Sequence, residues 1–194
     1  MTLDNTWFEE GFRDSPYMAI LRGLGLDRTI ELAELAWAAG IALVEVPVQT
    51  SGDLETLEVL AAKARSAGRC VGAGTILTTD QLEAVKHAGG SFVVTPDFDL
   101  DVVQAAADIS LPILPGVATA TDVARAVRAG LTWLKMFPAA SLGSDWLRQI
   151  HGPFPTVRFI ATGGMTPRNA PEFLRQGASG VAIGSAVSDL IVGS

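Results

Sequence analysis

The chain has 194 residues, of which 48% are hydrophobic and 18% charged, enough for one domain with a substantial core. Its net charge of −7 excludes a broad nucleic-acid surface, which needs a basic footprint, but leaves room for an anionic small molecule held by local backbone donors. Apolar runs are broken by charge before they reach bilayer-spanning length, and the acidic opening MTLDNTWFEE lacks the apolar core of an export signal. A soluble, cytoplasmic protein without membrane or nucleic-acid partners is expected, as one domain over residues 1–194.

Residues 6–14 have the spacing of a short amphipathic helix, with Trp7, Phe8, Gly11 and Phe12 near one side. Residues 17–21 then read as a buried strand ending at Arg22. Helical spacing over 29–39 stops at Gly40, and 42–48 form the second strand. The alternation continues with helical segments at 54–67, 79–88, 99–107, 121–129, 144–150 and 167–176. Between them lie apolar strands at 70–75, 92–96, 112–116, 133–138, 158–163 and 180–185. Eight apolar strands separated by amphipathic helices predict a parallel sheet closed as a (β/α)8 TIM barrel, with a short N-terminal helix. Few residues follow Ser185, so the eighth helix is expected to be short or incomplete. A doubly wound open sheet is the alternative, but eight regular units and the lack of a complete nucleotide fingerprint weigh against it.

Lys135 stands in the middle of the apolar run Trp133–Met136 and is one of only three lysines. Lys63 and Lys86 sit in helical segments where a solvated face explains them. An ammonium loses its hydration on burial, so a lysine inside an apolar strand has its pKa pushed down and becomes a nucleophile near neutral pH. A snorkelling or salt-bridged lysine at a strand end is the plainer alternative. Glu45 is a second anomaly, a carboxylate within LVEVPV. Strand parity places Leu43, Glu45 and Pro47 on one face, and Trp133, Lys135 and Phe137 on another. If both faces line the barrel, the two ionisable groups approach each other above its core. A structural ion pair is an expensive route to stability, so the arrangement favours catalysis.

Chemistry in such barrels sits at the C-terminal strand ends, which here carry Arg22, Glu45, Gln49, Thr75, Thr95, Lys135, Thr162 and Ser185. Gly163–Gly164 and Gly184–Ser185 follow the last two strands, where turns that let backbone approach a ligand suit a phosphate. Three other features carry less. VGAGT at 71–75 lacks the third glycine of a dinucleotide loop. Asp97, Asp99 and Asp101 alternate like a calcium loop but lack its turn glycine and closing glutamate, so helix capping is expected. His87 and His151 lack metal-site spacing, and Cys70, the lone cysteine, reads as core. No metal is expected.

These residues resemble the class I KDPG and KDPGal aldolases, which act on 2-keto-3-deoxy-6-phosphogluconate and its galactonate epimer in the Entner–Doudoroff pathways. The likeness covers most of 18–185. It rests on AILRG at 19–23, VEVP at 44–47, VGAGT at 71–75, VTP at 94–96, LPGVATATD at 114–122, LKMFP at 134–138, TGGMTP at 162–167 and IGS at 183–185. The resemblance implies a Schiff base between Lys135 and the substrate C2 ketone, with Glu45 as general acid/base. It also implies that Arg22 and Thr75 hold the carboxylate end, that Phe137 packs beside the pyruvyl portion, and that Gly163, Gly164, Gly184 and Ser185 bind phosphate. Pro96 and Thr162, inside VTP and TGGMTP, complete the substrate site. Pyruvate and glyceraldehyde 3-phosphate would be the products, formed without cofactor in a homotrimer. Gln49 stands where the gluconate branch usually carries an arginine. AILRG and VATATD look closer to the galactonate branch, whereas Thr162 looks closer to the gluconate one. A phosphosugar isomerase or epimerase, or a non-catalytic phospho-ligand-binding barrel, are the other readings of the same residues.

Overall fold

The structure, a computed structural model, describes residues 5–192; residues 1–4 of the acidic opening and 193–194 lie outside the described residues. The strands are β1 (Tyr17–Ile20), β2 (Leu43–Pro47), β3 (Gly72–Gly74), β4 (Val93–Val94), β5 (Ile113–Leu114), β6 (Gly116–Val117), β7 (Trp133–Met136), β8 (Arg158–Thr162) and β9 (Gly180–Ile183). All pair in parallel, and the order runs round a nearly closed (β/α)8 barrel, with β5 and β6 at its two ends. The fifth barrel strand differs from the expected continuous run. Pro115 has no N–H to give to a ladder, and the chain changes partner there: β5 pairs with β4, and β6 with β7.

The helices are α1 (Trp7–Gly11), α2 (Leu26–Ala38), α3 (Ser51–Ser66), α4 (Thr79–His87), α5 (Leu100–Asp108), α6 (Ala120–Arg128), α7 (Ala139–Leu142), α8 (Asp145–His151), α9 (Ala170–Arg175) and α10 (Val187–Val192). α3 begins three residues before the apolar pattern because Thr50 and Asp53 form a capping box. α9 begins later than expected, because Asn169 and Thr166 exchange hydrogen bonds in a turn before it. Asp99 caps α5, its Oδ1 accepting the N–H groups of Asp101 and Val102, as the alternating aspartates suggested. Gly40, at φ 84°, ends α2 in a conformation that side chains disfavour. α7 and α10 are too short to show helical periodicity, and α10 is the short eighth helix.

Strand alternation divides the apolar side chains into two bodies. One face packs under the helices. The other fills the barrel with Met18, Ile20, Leu43, Phe92, Val94, Leu114, Trp133, Ile160 and Ala182. Phe8 from the N-terminal helix and Phe12 just after it close the floor: Phe8 meets Phe92 edge-on at 5.7 Å, and Phe12 stacks on Trp133 at 5.7 Å. Burying a phenylalanine such as Phe8 fully stabilises by about 1.5–3 kcal/mol. Small residues make room for large ones here. A Cβ on Gly72 would lie 2.4 Å from the Phe92 ring, and one on Gly180 would lie 2.6 Å from Phe12.

The strand break leaves a seam, and buried Asn5 stitches its lower end. Its Nδ2 donates to the Ile113 carbonyl at 3.2 Å and the Trp133 carbonyl at 2.6 Å. Its Oδ1 accepts the N–H groups of Thr132 and Trp133, both at 3.1 Å. With the floor packed and the seam tied, the open end of the barrel is the one formed by the C-terminal strand ends. Among the described residues, no helix is long and apolar enough to cross a membrane.

Candidate active site

Two residues past Trp133 on the inward face of β7, the chain sets Lys135 above the packed floor, only 5% exposed. Two past Leu43 on β2 it sets Glu45, 1% exposed. Both point into one cavity of about 280 Å³, which is also lined by Arg22, Thr75, Pro96, Phe137, Thr162, Gly163, Gly164, Gly184 and Ser185. Lys135, Glu45 and the nine residues expected to bind substrate therefore border one space, whereas the strand-end residues Gln49 and Thr95 do not line it. A larger open groove of about 850 Å³, between α5 and α6, is lined by residues such as Phe98, Arg125 and Arg128 and contains none of them.

Sequence reasoning missed three lining residues, Ile20, Met165 and Ala182, while Gln49, expected at a strand end, lies outside the lining and accepts a hydrogen bond from Arg22. Ile20 and Ala182 were findable, since they alternate with inward Met18 and Gly180. Thr95 is not in the cavity; its hydroxyl donates to the Asp97 carbonyl at 2.5 Å. VGAGT serves as a strand, with its glycines making room for Phe92 and Glu45.

The electrostatics follow from burial. Removing an ammonium from water disfavours its charged form, and burial pushes the Lys135 amine below the ordinary lysine value. The Glu45 carboxylate acts against that shift, the Arg22 guanidinium adds to it, and Asp97 opposes it. Burial likewise pushes Glu45 above the usual carboxylate range, resisted by Lys135 and then Arg22. Glu45 Oε2 is buried without a hydrogen-bond partner, and the described ion pairs include neither Glu45 nor Lys135. The two groups influence each other through the field of the cavity while both remain open to a third molecule. Lys135 Nζ lies 4.6 Å from the centroid of the Phe137 ring, whose face favours the cationic form.

At the rim, Arg22 Nη1 donates to Gln49 Oε1 at 2.9 Å and Nη2 to Thr75 Oγ1 at 3.3 Å. Thr75 has φ 62°, a region costly for a β-branched side chain. Opposite, Gly163 and Gly164 take φ 95° and 71° and turn the chain sharply. Side chains would be strained there at positive φ, and crowded: a Cβ on Gly164 would lie 2.6 Å from Ala140 Cβ, and one on Gly163 3.1 Å from the Phe137 ring. The Asn169 amide donates to the Gly164 carbonyl at 3.0 Å and the Ala140 N–H to the Gly163 carbonyl at 3.0 Å, which fixes the turn. Among the described residues, no three His, Cys, Asp or Glu side chains gather as metal ligands would.

A buried amine and a buried carboxylate, flanked by a guanidinium on one side and a glycine turn on the other, suit chemistry at the carbonyl of a small anion. Comparisons with known proteins agree. The family model for KDPG and KHG aldolase matches residues 8–192. The chain is 36% identical over 159 residues to 2-dehydro-3-deoxy-phosphogluconate aldolase of Pseudomonas aeruginosa, covering 80% of this chain and 71% of that one. It is 30% identical over 171 residues to 2-dehydro-3-deoxy-6-phosphogalactonate aldolase of Escherichia coli K12, covering 88% and 83%. KDPG aldolase from Legionella pneumophila, solved with pyruvate captured as a covalent carbinolamine, has a TM-score of 0.83 at 30% identity, covering 93% of this chain and 88% of that one. The chain belongs to the KDPG and KHG aldolase family and is an enzyme of the lyase class.

Proposed function

We propose that this chain is a class I aldolase that cleaves 2-dehydro-3-deoxy-6-phosphogluconate, its galactonate epimer, or both, to pyruvate and glyceraldehyde 3-phosphate. The observation that carries the reading is the Lys135 amine, buried in the barrel mouth with its pKa pushed down beside an unpartnered Glu45 carboxyl. The uncharged amine attacks the C2 ketone and forms a carbinolamine. Protonated Glu45 gives a proton to the departing hydroxide, leaving an iminium and water. The iminium draws in the electrons of the C3–C4 bond, and the Glu45 carboxylate takes the C4 hydroxyl proton as glyceraldehyde 3-phosphate leaves. Returning that proton to C3 of the enamine and adding water releases pyruvate and restores the amine. Burial raises the Glu45 pKa, in the direction that lets one carboxyl both give and take this proton.

Arg22 and Thr75 face the carboxylate end, Phe137 and Pro96 flank the pyruvyl carbons, and Thr162 lies beside them. Gly163, Gly164, Gly184 and Ser185 offer the phosphate a hydroxyl and backbone that no Cβ obstructs. The captured carbinolamine of the Legionella relative supports the covalent step. No metal or organic cofactor takes part in these steps. The resemblance of the motifs also supports a homotrimer, which light scattering of the purified chain checks. The test of the reaction is cleavage of both epimers, with pyruvate release followed by lactate dehydrogenase. The reading expects turnover of at least one epimer and its loss in Lys135→Ala. Equal turnover in a folded Lys135→Ala variant refutes it.

A further inference from the structure

We infer that Gln49 is a positioning residue: it fixes the Arg22 guanidinium with a neutral oxygen, so that the full positive charge faces the substrate carboxylate. The inference rests on the aldolase reading above. Arg22 is anchored by two uncharged acceptors, Gln49 Oε1 at 2.9 Å and Thr75 Oγ1 at 3.3 Å. The described ion pairs engage Arg13, Arg28, Lys63, Arg148 and Arg175, and Arg22 is in none of them.

Two acids lie four residues from Gln49 in sequence, Glu45 and Asp53, and both feel the Arg22 charge without forming an ion pair with it. Asp53 Oδ2 accepts the backbone N–H groups of Gln49 at 3.1 Å and Thr50 at 2.9 Å, and the Thr50 hydroxyl at 2.9 Å. That carboxylate therefore closes the N-terminus of α3 and holds the Gln49 backbone still, while the Gln49 side chain reaches Arg22. Thr75 keeps its hydroxyl in place through a left-handed backbone conformation, strain of a kind that collects at binding sites. Two fixed oxygens orient the guanidinium without cancelling its charge. An arginine held this way offers its remaining N–H groups to a carboxylate with little loss of side-chain freedom on binding.

A carboxylate at position 49 would hold the same geometry and cancel the charge, so geometry and charge can be separated. The experiment is borohydride trapping on the full chain, measuring the half-saturating concentration of pyruvate and of pyruvamide, its uncharged analogue. Wild type, Gln49→Glu and Gln49→Met are compared, with circular dichroism as the check on folding. Gln49→Glu is expected to raise the half-saturating pyruvate concentration about tenfold or more, as befits a lost charge-assisted contact, and Gln49→Met several-fold. Pyruvamide is expected to change little in either variant. Pyruvate values within twofold of wild type in both variants, or an equal rise for pyruvamide, would overturn the role. If wild type gives no adduct at all, the aldolase reading fails first and this inference goes with it.

Discussion

Glu45 occupies the space that a side chain on Gly74 would need: an ideal Cβ on Gly74 would lie 1.7 Å from Glu45 Oε1. The two residues sit on the paired strands β2 and β3, where Pro47 is in register with Gly74. The glycine in VGAGT is therefore a seat for the carboxylate. Gly74→Ala is expected to drive Glu45 out of position and lower kcat at least about a hundredfold, the usual scale of a misplaced general acid/base. The far-UV dichroism should stay near wild type. Steady-state kinetics with unchanged kcat would show that Glu45 has no fixed place in the reaction.

Asn5 carries a stability prediction. It makes four hydrogen bonds across the seam between β5 and β7 while 1% exposed. Asn5→Ala leaves buried backbone groups unpaired, and each such group costs about 1–3 kcal/mol. A loss of about 2–4 kcal/mol in urea unfolding is expected. Activity of the folded fraction should persist, because Asn5 lies at the opposite end of the barrel from the cavity.

The pH dependence has a definite sign. Only the uncharged amine condenses with a ketone, so trapping at saturating pyruvate should rise with pH through a midpoint below the ordinary lysine value. The Glu45 carboxylate favours the ammonium, so Glu45→Gln should move that midpoint to lower pH. Arg22 disfavours the ammonium, so Arg22→Met should move it to higher pH. Shifts in the same direction would contradict the field described here.

Stability near neutral pH should improve when the site is erased. Lys135 has a depressed folded pKa, so the native state binds fewer protons than the unfolded chain and stability from this group rises with pH across that window. Glu45 has a raised folded pKa, so its contribution is present at acid pH and is lost as pH rises past the ordinary carboxylate range. Both burials therefore oppose folding near neutrality. The double change Lys135→Met with Glu45→Gln is expected to raise the unfolding free energy by about 1–4 kcal/mol in urea titration, with activity abolished.

Much of this was legible in the sequence because both signals were physical contradictions. A lysine inside WLKM and a glutamate inside LVEVP stand out against their neighbours, and strand parity then aims both inward. The eight-unit rhythm identified the barrel. What stayed hidden depends on pairing between distant segments. The split at Pro115 needs the knowledge that the two flanks bond to different strands. Asn5 looks like an ordinary polar residue until Ile113 and Trp133 are brought beside it. α7 and α10, at four and six residues, span less than two helical turns, too few for a period to show. Gln49 could be placed at a strand end, but its bond to Arg22 joins residues 27 positions apart.

The most direct test is reduction with borohydride in the presence of pyruvate, followed by peptide mass mapping. With three lysines in the chain, the assignment is unambiguous. The account predicts one pyruvyl adduct, on the peptide that contains Lys135, formed readily near neutral pH. A folded protein left unmodified, or an adduct on Lys63 or Lys86 instead, would contradict it.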